Sequence, residues 1–397
     1  MSNQQAQQTI AFDAAVHPRM AYSEQINEYT DGWYKQLVYN RSNRFYNPVP
    51  TGVAPFGEWL EQSRPSRGET ISTPAGARPV FEPGSVPALA REYLRGNGVK
   101  RAVLTPTLRG IIPAVDQGNA VCAAYNDWLA DTWLAQADSD VEFLGTIRVN
   151  PMDAKAAVKE IERWAYHGQM VQIGVPVESQ HPYGQRYFLD IWEAAAACGL
   201  PVMIKAEGSM GIDLPVSILG TPRTHIEFST MHRDRFFHHV ASFIAEGVFD
   251  RFPDLRVVSA DGGFDMLAPA IWRMDMDWPI TRTEVPWVKK PPSHYLKDHV
   301  RFVASKVEGP SNLQPDTVIE WAQRTGAADL LIYGSGYPQW SSMTPDELLP
   351  ALSREDRERI LWRNAYDLYE SRLAKVSSGD KASARLSTGT PREIRPS

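Results

Sequence analysis

Short apolar runs separated by longer amphipathic stretches organise the chain from residue 9 to residue 375. The runs span residues 9–16, 101–105, 142–149, 170–175, 201–205, 256–259, 300–304 and 329–333. In runs such as Leu200-Pro-Val-Met-Ile204 the apolar positions are consecutive rather than alternate, which suits strands covered on both faces, as in a parallel sheet. The intervening stretches carry helical periodicity. In residues 124–135, Tyr125, Trp128, Leu129 and Trp133 share one face; in 153–164, Ala157, Val158, Ile161 and Trp164 do, behind Asp153 as N-cap. Residues 353–367 read as a further helix with its charges outside and Ser353 as N-cap. Eight strand-like runs alternating with helices across one span predict a closed (β/α)8 barrel rather than an open sheet.

Composition narrows the picture without changing it. The 397 residues are 43% hydrophobic and 22% charged, enough for one large domain whose core needs no disulfide. Residues 1–8 and 376–397 read as polar tails, and the Pro-, Gly- and Arg-rich stretch 47–88 as an irregular excursion from the barrel. The net charge of −6 offers no basic footprint for nucleic acid. Cys122 and Cys198 sit on apolar helical stretches with no CxxC neighbour, as two reduced, buried thiols would. No run reaches the length of a membrane span, and the polar Met1-Ser-Asn-Gln-Gln5 start lacks the apolar stretch of a signal peptide; the expectation is a cytoplasmic chain.

Several motifs then occur in a telling order. They are Phe12-Asp-Ala-Ala-Val-His-Pro18, Ala124-Tyr-Asn-Asp-Trp-Leu129 and Glu246-Gly-Val-Phe-Asp-Arg-Phe-Pro-Asp-Leu-Arg-Val-Val258, followed by Ser259-Ala-Asp-Gly-Gly263. Further on come Leu331-Ile-Tyr-Gly-Ser-Gly-Tyr-Pro-Gln-Trp340 and Glu355-Asp-Arg-Glu-Arg-Ile-Leu-Trp-Arg-Asn-Ala-Tyr-Asp-Leu-Tyr369. Together the motifs resemble the amidohydrolase-related metal hydrolases and decarboxylases over residues 10–370. The resemblance implies a distorted TIM barrel, an α/β fold, with a metal site at the C-terminal ends of its strands.

At those strand ends this sequence departs from the family pattern. The resemblance places two metal ligands on the first strand, two residues apart so that both point inward. Ala15 and His17 stand there, so one ligand is replaced. Where the fifth strand of the family ends in a ligating histidine, this chain has Lys205. A protonated lysine has three donors and no lone pair and repels a divalent cation; a neutral or carbamylated lysine that ligates is the alternative. The aspartate of the eighth strand is replaced by Gly336, beside Ser335, whose hydroxyl is at best a weak ligand and more simply a partner for backbone. Asp261 occupies the end of the sixth strand, as an acid, a base, a ligand or the ion-pair partner of Lys205. Ser229 replaces the histidine of a Glu-aromatic-His run, with His225, His232, His238 and His239 nearby; of these His232 and His239 are the candidates to compensate.

Only His17 and Asp261 retain ligand chemistry, and a divalent ion wants about four donors. The expectation is therefore no cofactor in this chain. The leading functional reading is an accessory subunit paired with a homologous amidohydrolase-fold chain that carries a divalent Fe, Mn or Zn ion and acts on a small-molecule substrate. The metal-poor member of a two-subunit 2-aminoisobutyrate hydroxylase-type enzyme is the pattern this resembles. Two alternatives stay open: an enzyme with an altered centre built on Lys205 and Asp261, and a small-molecule binding protein.

Overall fold

The computed structural model describes residues 10–20, 23–30, 32, 86–106, 114–136, 140–206, 234–260, 263–304, 314–338 and 342–377. Its strands are β1 (Ala11–Val16), β2 (Val99–Leu104), β3 (Glu142–Arg148), β4 (Met170–Pro176), β5 (Val202–Lys205), β6 (Val257–Ser259), β7 (Val300–Ala304) and β8 (Leu331–Tyr333). They form one eight-stranded, all-parallel sheet in the order β1 to β8, so each of the eight apolar runs is a strand in its predicted place. Around it, in chain order, lie α1 (Pro87–Gly96), α2 (Val115–Leu129), α3 (Ala154–Trp164), α4 (Leu189–Ala197), α5 (Asp234–Ala245), α6 (Phe264–Thr281), α7 (Pro292–His299) and α8 (Pro315–Thr325). The closing helix α9 joins Arg354–Glu358, a π turn at Arg359–Arg363, and Asn364–Ser377.

The sheet closes on itself beyond the ends of the strands. Gly336 N–H donates to Ala15 O at 2.9 Å and His17 N–H to Tyr337 O at 2.7 Å, so the chain just after β8 pairs with the end of β1. Between them the buried Asp13 carboxylate takes the place of a ladder carbonyl, its Oδ1 accepting from Ser335 N–H at 2.9 Å and Ala15 N–H at 3.0 Å. Close approach at this seam requires Gly334: a Cβ there would stand 2.9 Å from the Ala15 Cβ, well inside van der Waals contact.

Two apolar layers follow from the pleat. Ala102 and Leu104 on β2 face outward to the helices, while Val103 faces inward with Phe12, Leu144, Met203, Val258, Val303 and Ile332. Tyr369 of α9 fills the N-terminal end of the barrel, its ring 5.6 Å from that of Phe12 and its hydroxyl donating to Gln172 Oε1 at 2.8 Å. Gln172 in turn donates to Thr146 Oγ1 at 2.9 Å, so a short polar chain crosses an otherwise apolar interior with its amide satisfied at both ends. Asn364 anchors the same helix to β8, its Nδ2 donating to Ala328 O and Leu331 O.

Several sequence-predicted boundaries shift. Residues 329–330 lie in a helical turn (Ala327–Leu330) ahead of β8, and 87–88 open α1 rather than belonging to the irregular excursion, whose residues 47–85 lie outside the described ones. Helix α2 starts at Val115, nine residues before the amphipathic stretch at 124, and continues as a π turn over Ala130–Leu134. The last helix runs to Ser377 instead of 367, so residues 376 and 377 belong to it; 378–397 and 1–8 lie outside the described residues. Both predicted N-caps form, Asp153 accepting from Ala156 N–H and Ser353 from Asp356 N–H at 3.1 Å each. Cys122 is buried, whereas Cys198 at the end of α4 is only half-buried.

Tyr369→Phe removes one hydroxyl and leaves Gln172 Oε1 without its donor in a dry interior. The expected loss is about 1–3 kcal/mol, read as a lower urea midpoint with an unchanged denaturant slope. An unchanged midpoint would show that the polar chain does not contribute to holding α9 against the barrel.

Candidate functional site

A parallel barrel gathers the C-terminal ends of its strands at one mouth. His17 lies just past β1 and Thr105 just past β2, with the His17 Nδ1 and Thr105 Oγ1 atoms 2.6 Å apart. The Thr105 hydroxyl also lies 3.2 Å from Val16 O. At the 2.6 Å contact the donor is Thr105 O–H or His17 Nδ1–H according to the imidazole tautomer. Burial, followed by the positive charges of Lys205 and Arg19, holds the imidazole well below the usual histidine range. His17 is therefore neutral at pH 7, a lone pair rather than a cation.

Lys205 ends β5, opposite β1 in an eight-membered ring, and is 6% exposed. Among the described residues its ammonium makes one hydrogen bond, to Ala206 O at 3.4 Å. Ala15 is buried with its Cβ turned to the lumen against Gly334, and its carbonyl accepts from Gly336 N–H. The two positions that the family pattern gives to ligands are thus joined to each other through backbone. Gly336 sits at φ +70°, in the left-handed region that favours glycine. Ser335 is occupied locally, its Oγ accepting from Tyr337 N–H at 3.0 Å and its own N–H serving Asp13.

His239 on α5 is a packed histidine rather than a ligand. Its Nδ1 accepts from Tyr183 N–H at 3.2 Å, its Nε2 donates to Val177 O at 2.7 Å, and its ring stacks on Tyr183 at 4.2 Å. Burial, first among the causes, lowers it to about 4 despite the Val177 bond. His238 beside it is exposed. Asp261, His225, Ser229 and His232 lie outside the described residues, and with them the proposed Lys205–Asp261 pair. Among the described residues no group of three or more His, Cys, Asp and Glu stands close enough to hold a metal ion. At four of the five aligned positions, Asp261 being the fifth, a methyl group, a neutral imidazole, an ammonium and a glycine supply one metal donor between them, the imidazole.

Other buried polar groups at these strand ends escaped sequence reasoning. Arg148, the last residue of β3, is 1% exposed and donates from Nη1 to Gly174 O at 2.9 Å. Asn126 of α2 fixes that strand end, accepting from Arg148 N–H at 2.7 Å and donating to Arg148 O at 2.8 Å. Glu178, two residues past β4, pairs with Arg235 of α5 at 3.2 Å, both largely buried. The inward period Leu144, Thr146, Arg148 was a usable signal for the first; the pairing across 57 residues left none for the second.

A family model described as amidohydrolase matches residues 102–370. Three solved structures share the fold. An amidohydrolase from Mycobacterium avium subsp. paratuberculosis is 19% identical, covering 92% of this chain and 100% of its own, with a TM-score of 0.66. A 5-carboxyvanillate decarboxylase from Novosphingobium aromaticivorans, complexed with manganese, is 20% identical, covering 93% and 98%, with a TM-score of 0.60. A 2,6-dihydroxybenzoate decarboxylase from Rhizobium is 17% identical, covering 91% and 99%, with a TM-score of 0.57. No curated protein matches the chain.

Burial raises the Asp13 carboxyl from 3.8 to about 6, against hydrogen bonds from Ser335 and Ala15 that pull it down. A folded value above the unfolded one means that the protonated form is favoured in the native state. The associated stability is fully present below pH 3.8 and is lost as pH rises through about 6. Asp13→Asn keeps the accepting oxygen and removes the ionisation, so the acid-to-neutral stability profile is expected to flatten by up to about 3 kcal/mol over that window. Denaturant titrations from pH 3.5 to 7 read this; parallel profiles for the two proteins would reject it.

Proposed function

The chain belongs to the amidohydrolase family, and we propose that it is a non-catalytic member, the supporting subunit of a hetero-oligomer whose related barrel keeps the divalent Fe, Mn or Zn ion. The observation that carries this reading is the charge at the barrel mouth. Lys205 brings a buried ammonium to the place where the family pattern sets an imidazole on a metal, and its field reaches His17. A divalent cation entering there would meet repulsion from Lys205 and find no donor on Ala15 or Gly336. One altered ligand would tune a metal; three altered together, one of them to a cation, remove the basis for holding it.

A partner is supported by the surface. Trp272, Met276 and Ile280 form an i, i+4, i+8 ridge along α6 and are 58%, 68% and 83% exposed. Large apolar side chains in a contiguous row on a soluble barrel mark an interaction face, and an i±4 ridge is the surface that packs into the groove of another helix. Among the described residues no helix is long and apolar enough to cross a membrane. On this reading the small-molecule chemistry, whether hydrolysis, decarboxylation or oxygenation, is performed by the partner.

The test is elemental analysis of the purified full-length chain, alone and with whatever homologous barrel co-purifies. The chain alone is expected to hold well under one equivalent of Fe, Mn or Zn and to turn over nothing, and the pair to hold metal and be active. Met276→Asp, which sets a charge at the centre of the ridge, is expected to separate the pair on size exclusion while leaving the far-UV spectrum intact. A metal-loaded, active chain expressed by itself would sink the proposal and return the altered centre of Lys205 and Asp261 to first place.

A further inference from the structure

We propose that the outer face of α6 is self-complementary and that, in the chain alone, a second copy closes it, the two helices lying antiparallel with Met276 at the two-fold axis. Helix α6 is apolar on two sides. Its inner side packs on the barrel through Ile271, Met274 and Trp278, with Trp278 Nε1–H donating to Val288 O at 3.3 Å. Asp275 belongs to the same side, accepting from Ser293 N–H of α7 at 2.9 Å. Its outer side carries Trp272, Met276 and Ile280, each more than half exposed. A helix with a single stripe of apolar residues needs one neighbour, whereas one that is apolar all round is a helix to be covered.

The charges beside the ridge select a second copy as the cover. One flank is engaged with α7 through Asp275. The other carries Arg273 and Asp277, whose Nε and Oδ2 atoms are 2.8 Å apart and whose side chains are open to solvent. Arg273 stands three residues before Met276 and Asp277 one residue after it. A two-fold axis across antiparallel helices sets the same flank of each side by side and reverses its order. Arg273 of each copy then comes nearly level with Asp277 of the other, and Trp272 level with Ile280. Two ion pairs inside the helices become one four-membered network at the edge of the interface, and the ridge is sealed between them. This rests on reading the ridge as an interaction face and adds how that face is occupied before a metal-bearing barrel displaces the second copy. The two fail differently: the supporting role turns on metal and activity, this inference on the mass of the chain alone.

Sedimentation velocity of the full-length chain alone, from about 1 to 50 μM, tests it, since specific interfaces of ordinary size are populated in that range. A dimer whose share grows with concentration is expected, and Met276→Asp is expected to sediment as a monomer. Charge reversal carries the specific signature. Arg273→Asp sets like charges together twice across the axis, as does Asp277→Arg, and each is expected to weaken the dimer at least about tenfold. The double reversal, Arg273→Asp with Asp277→Arg, is expected to restore it, because a self-complementary flank stays so when both signs change. A monomer at every concentration, a dimer that Met276→Asp leaves intact, or a double reversal no tighter than either single one overturns the inference. A chain that is monomeric alone and pairs only with a homologous barrel overturns it too, while leaving the proposed function standing. The concentration series uses the unaltered chain, so it decides the question even where a variant fails to fold.

Discussion

The carboxylate of Asp13 is the contact on which the closed shape of this barrel depends. Seven of the junctions between neighbouring strands are parallel ladders, but β8 is only three residues long and ends before it can pair with β1. One oxygen of Asp13 accepts from Ala15 N–H on its own strand and from Ser335 N–H beyond β8. That single acceptor draws the two edges together, and the two backbone bonds that follow, from Gly336 N–H to Ala15 O and from His17 N–H to Tyr337 O, complete the ring. Desolvating a carboxylate so completely is unfavourable, and the raised Asp13 value is the measure of that cost. The compensation is geometric: an open edge would expose unpaired N–H and C=O groups, and closure removes it.

Most of the fold was legible because the forces that make it are local in sequence. Strands covered on both faces favour consecutive apolar positions, as in Val202-Met-Ile204 of β5 and Leu331-Ile-Tyr333 of β8, while β1 and β2 carry Asp13, Lys100 and Arg101 within their runs. The amphipathic stretch with Tyr125, Trp128, Leu129 and Trp133 buries all four side chains. What the periodicity missed were places where the period itself changes. The π turns at Ala130–Leu134 and Arg359–Arg363 carry an extra residue per turn, and Asp329–Leu330 continue an apolar run while adopting a helical turn.

The site was legible in part. Positions Ala15, His17, Lys205 and Gly336 could be found from motif order, and the fold brings the first and last into direct backbone contact. Asp13 carries no chemical signature in sequence, since an acid within an apolar strand is as easily a ligand as a structural acceptor; only the position of Ser335 N–H, 322 residues away, decides it. Glu178 and Arg235 were hidden for the same reason, each being an ordinary charge until the other is placed beside it.

That contact between Ala15 and Gly336 also explains how the barrel persists while its reaction centre changes. At both positions the structural work is done by backbone, the carbonyl of one and the N–H of the other. The Ala15 methyl takes no part in that bond and Gly336 has no side chain, so closure of the ring makes no use of a ligand at either place. The parts that hold the ring lie elsewhere: Asp13 at the seam, Gly334 where no Cβ fits, Asn126 of α2 against the end of β3, Asn364 and Tyr369 on the closing helix. Scaffold and chemistry occupy adjacent residues of the same motifs but separate atoms. Motifs therefore report the fold faithfully, and the reaction has to be read from the side chains they leave free.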